Sequence, residues 1–444
     1  VANSGFSNPS HYRLCIFWIL AFGYVLVFFH RLCPAVVATD MMADLHAGGT
    51  LIGFLSSAYF YPYALMQLPT GLLSDSWGPR KTITLFLAAA CIGSILLGLA
   101  PSPSWAILGR VLAGLGVSTL FVCTLKILAE WYSLREFATM TGILMAMGGI
   151  GSLSAATPMA MASSWLGWRL SFILIGLLTA VIATLIWRIV RDRPAEIGWP
   201  SPAEHATEKG PPARLSVGVK QVLSLPAFWP LALWFFFTYG IFAAFAGLWG
   251  GPYLMQVYGA TKSQTGGILS LIAIGMIIGS PLVGSLSNRI FKGRKPTLVF
   301  ASMAMVGITA SLAFATGDMS LPVIGALCFG LGIFASAVVV IGFTNARELF
   351  PARIAGTALG LVNLFPFAGG AFMQPLLGSI LESHKKSVSE FTLTGYQNAF
   401  FMLFLSALAA LAASIFLKET YRQDLPAKNP DRLGEADIES PQVS

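Results

Sequence analysis

Gly71-Leu-Leu-Ser-Asp-Ser-Trp-Gly-Pro-Arg-Lys81 closes one long apolar run, and Gly284-Ser-Leu-Ser-Asn-Arg-Ile-Phe-Lys-Gly-Arg-Lys295 closes another. A second pair repeats with matching internal spacing: Glu130-Trp-Tyr-Ser-Leu-Arg135 leads to Gly142, and Glu348-Leu-Phe-Pro-Ala-Arg353 leads to Gly360. The chain therefore reads as two copies of one design in the same orientation, a parallel internal repeat.

The apolar runs between these loops set the fold class. Of 444 residues, 56% are hydrophobic and 10% are charged, whereas about a quarter of a soluble domain is charged. A helix needs about 20 apolar residues to cross a bilayer. Such runs fall at roughly 12–37, 49–74, 81–100, 104–132, 136–163 and 168–189, then at 227–257, 264–288, 296–316, 320–347, 353–382 and 395–417. The expected fold is an all-α integral membrane protein of twelve transmembrane helices in two six-helix pseudo-symmetric bundles. Residues 1–190 form the first bundle and 226–418 the second. The stretch 191–225, with Pro194, Pro200, Pro202, Pro211 and Pro212, reads as a linker, and 419–444 as a disordered tail. The first run is too long for a leader's apolar core and is followed by no small-residue cleavage site, so it is expected to be a retained helix.

Charge sets the orientation. Of 27 Lys and Arg, 20 fall on the side that holds both termini, the linker and the two repeated loops; Arg169, Lys262, Lys385 and Lys386 fall on the other. The positive-inside rule then puts both termini in the cytoplasm, and the net charge of +8 needs no nucleic acid to explain it. The five cysteines stand singly, with no C-x-x-C spacing, so neither a metal site nor a redox pair is expected. Phosphate-loop, zinc-protease and serine-hydrolase signatures are absent, and no cofactor or enzymatic activity is expected.

Arg31, Arg110 and Lys126 are the basic residues inside the apolar runs. A guanidinium at mid-membrane costs about 3 kcal/mol or more, so each needs a partner or a use. At 3.6 residues per turn, Tyr24, Val27 or Phe28, and Arg31 share a face, which suits that face to an anion. Tyr59, Tyr63 and Gln67 share a face of the second run, and Asn363, Phe367, Gly370 and Gln374 one of the eleventh; with Trp234 and Tyr239 they are candidate lining of a cavity. Gly247-Leu-Trp-Gly-Gly-Pro252 is expected to loosen the end of the seventh run as a gate.

The Gly71–Lys81 loop, its degenerate copy and Arg110-x-x-x-Gly114-x-Gly116 resemble the hallmark motifs of the major facilitator superfamily. Phe22-Gly23-Tyr24 with Arg31 resembles the first helix of its organic anion symporters and organophosphate/phosphate antiporters. The resemblance implies a secondary active transporter working by alternating access, with Arg31 on the cargo's anionic group. Lys126 stands where the phosphate-ester antiporters carry a basic residue, although Glu130 one turn on offers it an ion pair. The seventh run, from Ala227 to Tyr258, has no Lys or Arg, so those antiporters' second arginine is missing and a carboxylate is favoured over a phosphate ester. His30 occupies the place where some of the symporters have an acid; His30 and Asp40 are the candidates for proton coupling. Gly71, Asp75, Gly78, Arg80, Glu130 and Arg135, with Asn288, Arg294, Glu348 and Arg353 in the second copy, are expected to act as a gate holding the inner side shut. The expected partners are a small anionic substrate, a proton or other coupling ion and the bilayer of a bacterial inner membrane, around a monomer. Export of amphipathic compounds and a non-transporting receptor or scaffold are the alternatives.

Overall fold

The computed structural model describes residues 9–200, 215–350 and 355–421. In chain order the helices are α1 (Pro9–Leu32), α2 (Pro34–Asp44), α3 (Gly49–Ser57), α4 (Phe60–Leu65), α5 (Pro69–Trp77), α6 (Pro79–Gly98), α7 (Pro103–Val117), α8 (Leu120–Trp131), α9 (Leu134–Ser154) and α10 (Thr157–Ile189). After the linker come α11 (Leu215–Leu223), α12 (Phe228–Ala244), α13 (Gly250–Tyr258), α14 (Lys262–Ser285), α15 (Arg294–Phe314), α16 (Leu321–Ala337), α17 (Phe343–Leu349), α18 (Ala355–Ser383) and α19 (Leu393–Ile415). Ten segments among the described residues are long and apolar enough to cross a membrane. One of them, Thr139–Ile189, has 51 residues and takes in most of α9 and all of α10; as unbroken helix it would be roughly 75 Å long, more than twice a hydrocarbon core. It turns at Gly167, whose φ of 76° is open to glycine and costly for other residues.

Several expected helices are broken, and proline explains where. The first run extends to Asp44 but is interrupted at Cys33, before Pro34. The second is three short helices, α3 to α5, with Pro62 and Pro69 at the breaks. Proline has no N–H to give to the carbonyl four residues back, and its ring crowds that carbonyl. The seventh run does not loosen at Gly247–Pro252. Phe245–Trp249 forms a π-helical turn, and a Cβ on Gly251 would lie 1.6 Å from the Ala35 carbonyl oxygen, so this stretch is pressed against α2.

The packing repeats as the sequence does. α1 lies on α9 as α12 lies on α18, and α6 lies on α10 as α15 lies on α19. Contacts between the copies also correspond: α3 packs on α18, and α14 packs on α9 and α10. Large apolar side chains such as Phe22, Leu85, Ile92, Leu177, Ile278 and Phe314 are exposed around the outside; in water they would be an aggregation hazard, and in a bilayer they meet lipid.

Small residues set the approach of α16 to α14. A Cβ on Gly332 would sit 2.0 Å from the Ile272 carbonyl oxygen, whereas one on Gly267 meets nothing within 4 Å. Gly332→Ala is expected to cost about 1–3 kcal/mol through overpacking. Gly267→Ala should be neutral or slightly stabilising, and thermal unfolding in detergent distinguishes the two.

Candidate functional site

Arg31 ends the intact part of α1, 5% exposed. Its guanidinium carbon lies 4.7 Å from the Phe28 ring centroid and 5.0 Å from those of Tyr63 and Phe367. These rings come from α1, α4 and α18, so both copies of the repeat surround the charge. Among the described residues no carboxylate is within ion-pairing distance of it, and its Nε makes no hydrogen bond. Tyr239, whose ring lies 5.6 Å from Phe367, sets its buried hydroxyl beside the Arg31 guanidinium without full hydrogen-bond geometry. Cation–π contacts contribute about 0.5–2 kcal/mol each, while burying an unpaired ion costs several kcal/mol. The rings therefore reduce the charge's cost without satisfying Nε. A planar fork with that donor free, beside phenol hydroxyls, is matched by the oxygens of a carboxylate or phosphate.

Tyr24 packs edge-on against Phe28 and stacks on Phe121, with centroids 5.4 Å apart in both cases. Tyr63 meets Phe367 at 4.3 Å. Gln67 accepts a hydrogen bond from Asn363 Nδ2 at 2.7 Å, a link between the copies. Arg31, Tyr24, Tyr63, Tyr239 and Phe367 thus gather in one place, with Gln67 and Asn363 on the same helices.

Other candidates stand elsewhere. Trp234 is fully buried and donates from Nε1 to Ser302 Oγ at 2.9 Å, so it packs α12 against α15 and does not wall the site. Tyr59 is an exception in position, its ring stacked on Tyr63 at 5.7 Å, but its hydroxyl is taken up by the Val27 carbonyl at 3.1 Å. Gln374 donates to the Ala243 carbonyl at 2.9 Å and is fully buried. Lys126 pairs with Asp75, not with Glu130 and not with the Arg31 cluster.

Of the coupling candidates, His30 is 1% exposed; its Nδ1 is 3.5 Å from Ser94 Oγ and its Nε2 has no partner. Asp40 is tied by Lys262 Nζ at 2.5 Å and by Ser163 Oγ at 3.3 Å, far along α2 from Arg31. It is thus a link between the copies and not a free acid.

Residues 20–375 match the sequence pattern of the Major Facilitator Superfamily, and a second match spans 251–436. The chain belongs to the Major Facilitator Superfamily. It is thereby a multi-pass membrane protein from a family of secondary transporters, not of enzymes. It is 25% identical over 90% of its length to 90% of a probable hexose phosphate transport protein of Chlamydia muridarum. It is 27% identical over 84% of its length to 86% of the membrane sensor protein UhpC of Salmonella typhimurium. Among solved structures, the nucleoside transporter NupG superposes with a TM-score of 0.74 at 13% identity, over 92% of this chain and 100% of that one, which speaks for the fold alone.

The superfamily's loop motifs hold each copy together. At Gly78, φ is 86° and a Cβ would meet Asp192 at 2.5 Å; Asp192 accepts from the Arg80 N–H at 2.7 Å, and the Arg80 guanidinium lies over Trp187. Gly71 has open space around it and makes no close approach. Glu130 is 3.9 Å from Arg193. In the second copy Arg294 pairs with Glu348 at 3.0 Å and donates to Asn288 at 2.6 Å. The Arg135 side chain and Arg353 lie outside the described residues. Every described ion pair at this basic end stays within one copy. Three links between copies are at the opposite end: Asp40 to Lys262, Thr157 to Ser270 at 2.8 Å, and Glu382 accepting from the Thr50 N–H at 2.9 Å; Asn363 to Gln67, four residues before the basic Gly71–Lys81 loop, joins the copies on the basic side of Arg31.

Sequence reasoning missed Lys262, Asp192 and Glu382, whose partners are remote in the chain. It also missed Glu136, which was readable as the capping box Ser133-x-x-Glu136. Glu136 accepts from the Ser133 backbone at 3.1 Å and pairs with Arg13 at 2.9 Å; the Ser133 backbone N–H, first among the causes, holds its pKa below the usual 4.5. A folded pKa below the unfolded one gives stability that is present above about 4.5 and lost as pH falls through the folded value. The difference in thermal midpoint between wild type and Glu136→Gln should therefore shrink as pH is lowered through that window.

Proposed function

We propose that this protein is a secondary transporter of small organic anions, with Arg31 as the anion anchor. The observation that carries the reading is a buried guanidinium, ringed by residues of both copies, with an unused Nε and no described carboxylate in reach. In this reading the chain crosses a bacterial inner membrane twelve times, as bundles 1–190 and 226–418 joined by the linker 191–225, with both termini and the tail 419–444 in the cytoplasm. Cargo alternates between the two faces as the bundles rock about the Arg31 site. The charged link between the copies, Asp40 to Lys262, lies at the end opposite the basic loops, and this reading places it on the outer side.

The cargo class favoured here is a phosphate ester exchanged against phosphate, ahead of a carboxylate taken up with protons. Support for it comes from the hexose phosphate relative and from Asp40, the obvious acid for proton coupling, being engaged by Lys262. Since α12 carries no second guanidinium, one guanidinium with the Tyr63 and Tyr239 hydroxyls would hold the phosphoryl group. A second reading, a non-transporting sensor on the same fold, is favoured by the UhpC relative.

Proteoliposomes loaded with phosphate and offered labelled hexose phosphate, a sugar acid or an amphipathic cation distinguish these readings. Hexose phosphate exchange is expected without a pH gradient. Arg31→Ala should reduce it by about 100-fold, in line with truncating one partner of a buried charged contact, and Arg31→Lys should retain part of it. Binding without flux of any solute would favour the sensor. Flux insensitive to Arg31→Ala would remove the anion anchor and favour efflux of amphipathic compounds.

A further inference from the structure

Arg110 is a second buried guanidinium, and its two terminal nitrogens are engaged in an unusual way, while its Nε has no partner. It is fully buried, and among the described residues it has no carboxylate partner. Its Nη1 donates to the His30 carbonyl at 2.7 Å, and its Nη2 to the Ser56 carbonyl at 3.4 Å. The guanidinium carbon lies 5.0 Å from the Tyr59 ring centroid.

Helix geometry explains these acceptors. In an unbroken α1 the His30 carbonyl would accept from the N–H of residue 34, but residue 34 is proline and has none. Besides Arg110, the other donor recorded at this oxygen is the Cys33 thiol at 3.6 Å, a weak one. Ser56 sits next to the break between α3 and α4. Arg110 thus reaches carbonyls at two helix breaks with one rigid fork. It can do so because Gly114, one turn on, lets α7 meet the second run backbone to backbone: a Cβ there would lie 2.1 Å from the Tyr59 carbonyl oxygen. Tyr59 in turn donates to the Val27 carbonyl. The turn of α1 that projects Arg31 is therefore held from both sides, at Val27 and at His30.

We propose that Arg110 is a positioning residue for the anion anchor: it replaces the hydrogen bond that Pro34 withholds from His30 and so fixes the turn from which Arg31 projects. The inference rests on the reading of Arg31 given above only for its consequence in transport. The clamp itself is tested without cargo. The full chain in detergent is treated with phenylglyoxal, which modifies guanidinium groups, and the modification of each arginine is followed by peptide mapping.

Arg110→Gln is expected to speed modification of Arg31 by about tenfold, the equilibrium change that the loss of one ordinary buried hydrogen bond produces. The rate at Arg169, remote and partly exposed, should stay unchanged. Adding Pro34→Ala restores an N–H to the His30 carbonyl, and Arg110→Gln/Pro34→Ala should return Arg31 to the slow rate. An unchanged Arg31 rate in Arg110→Gln, an equal rise at Arg169, or no recovery with Pro34→Ala would each overturn the clamp. If Arg110→Gln is not monodisperse, Arg110→Lys takes its place. It keeps the charge, reaches one carbonyl, and is expected to give a smaller rise that Pro34→Ala again reverses. Inorganic phosphate is then added to the wild type. If it fails to protect Arg31 while the clamp results hold, the anion reading falls and the positioning role stands.

Discussion

A positive charge kept in a medium of low dielectric constant must be met by something, and in this protein the two central guanidinium groups are met differently. Arg110 has permanent acceptors, the carbonyls of His30 and Ser56. Arg31, one residue from His30, has aromatic faces in place of those acceptors, and the Nε of both groups is idle. Fixed carbonyls engage both terminal nitrogens of Arg110 at all times, so the first charge is structural. Ring faces offset only part of the desolvation cost of the second. In the proposed function, an anion that reaches Arg31 supplies the partner that the rings do not.

The broken helices follow from the same economy of hydrogen bonds. In a membrane interior no water is at hand to satisfy a stray carbonyl, so a proline is tolerated only where another donor reaches the freed group. Pro34 is tolerated because Arg110 reaches the His30 carbonyl. Pro366 and Pro375 lie in α18, the helix that brings Phe367 to the guanidinium. By contrast α6 and α15, which line the outside, have no internal proline.

Most of the architecture was legible from local pattern. Apolar run length, the repeated loops and the skew of Lys and Arg are one-dimensional signals, and Arg31 was singled out by cost alone. What escaped were pairings set by tertiary geometry. Lys126 was read against Glu130, its neighbour at helical spacing, but Asp75 on α5 reaches it instead. Asp40 was read as a free acid because Lys262 is far along the chain. Trp234 shares a helix with Tyr239, yet one faces Ser302 and the other Phe367, a difference of rotation that periodicity leaves open when α12 is apolar all round. The glycines of 247–252 were read as looseness, whereas in a helix pair without a Cβ they allow contact at backbone distance.

The seam between the copies is built to be weak enough to part. Gly48, the N-cap of α3, has no side chain to offer, and Glu382 of α18 accepts from the Thr50 N–H in its place. A cap contributes about 1 kcal/mol, and when the copies separate, water can reach the same N–H. Asp40 and Lys262 are each more than a quarter exposed, and such pairs contribute about 0–1 kcal/mol. The remaining closure is a few neutral hydrogen bonds, Thr157 with Ser270 and Asn363 with Gln67 among them, and glycine-lined van der Waals contact, as where Gly49 meets Gly378. Within each copy the links are more numerous and include bidentate pairs, Arg13 with Glu136 and Arg294 with Glu348. Strong bonds inside two bodies and replaceable ones between them give a molecule whose softest motion is the movement of one body against the other, about the single charge that both enclose.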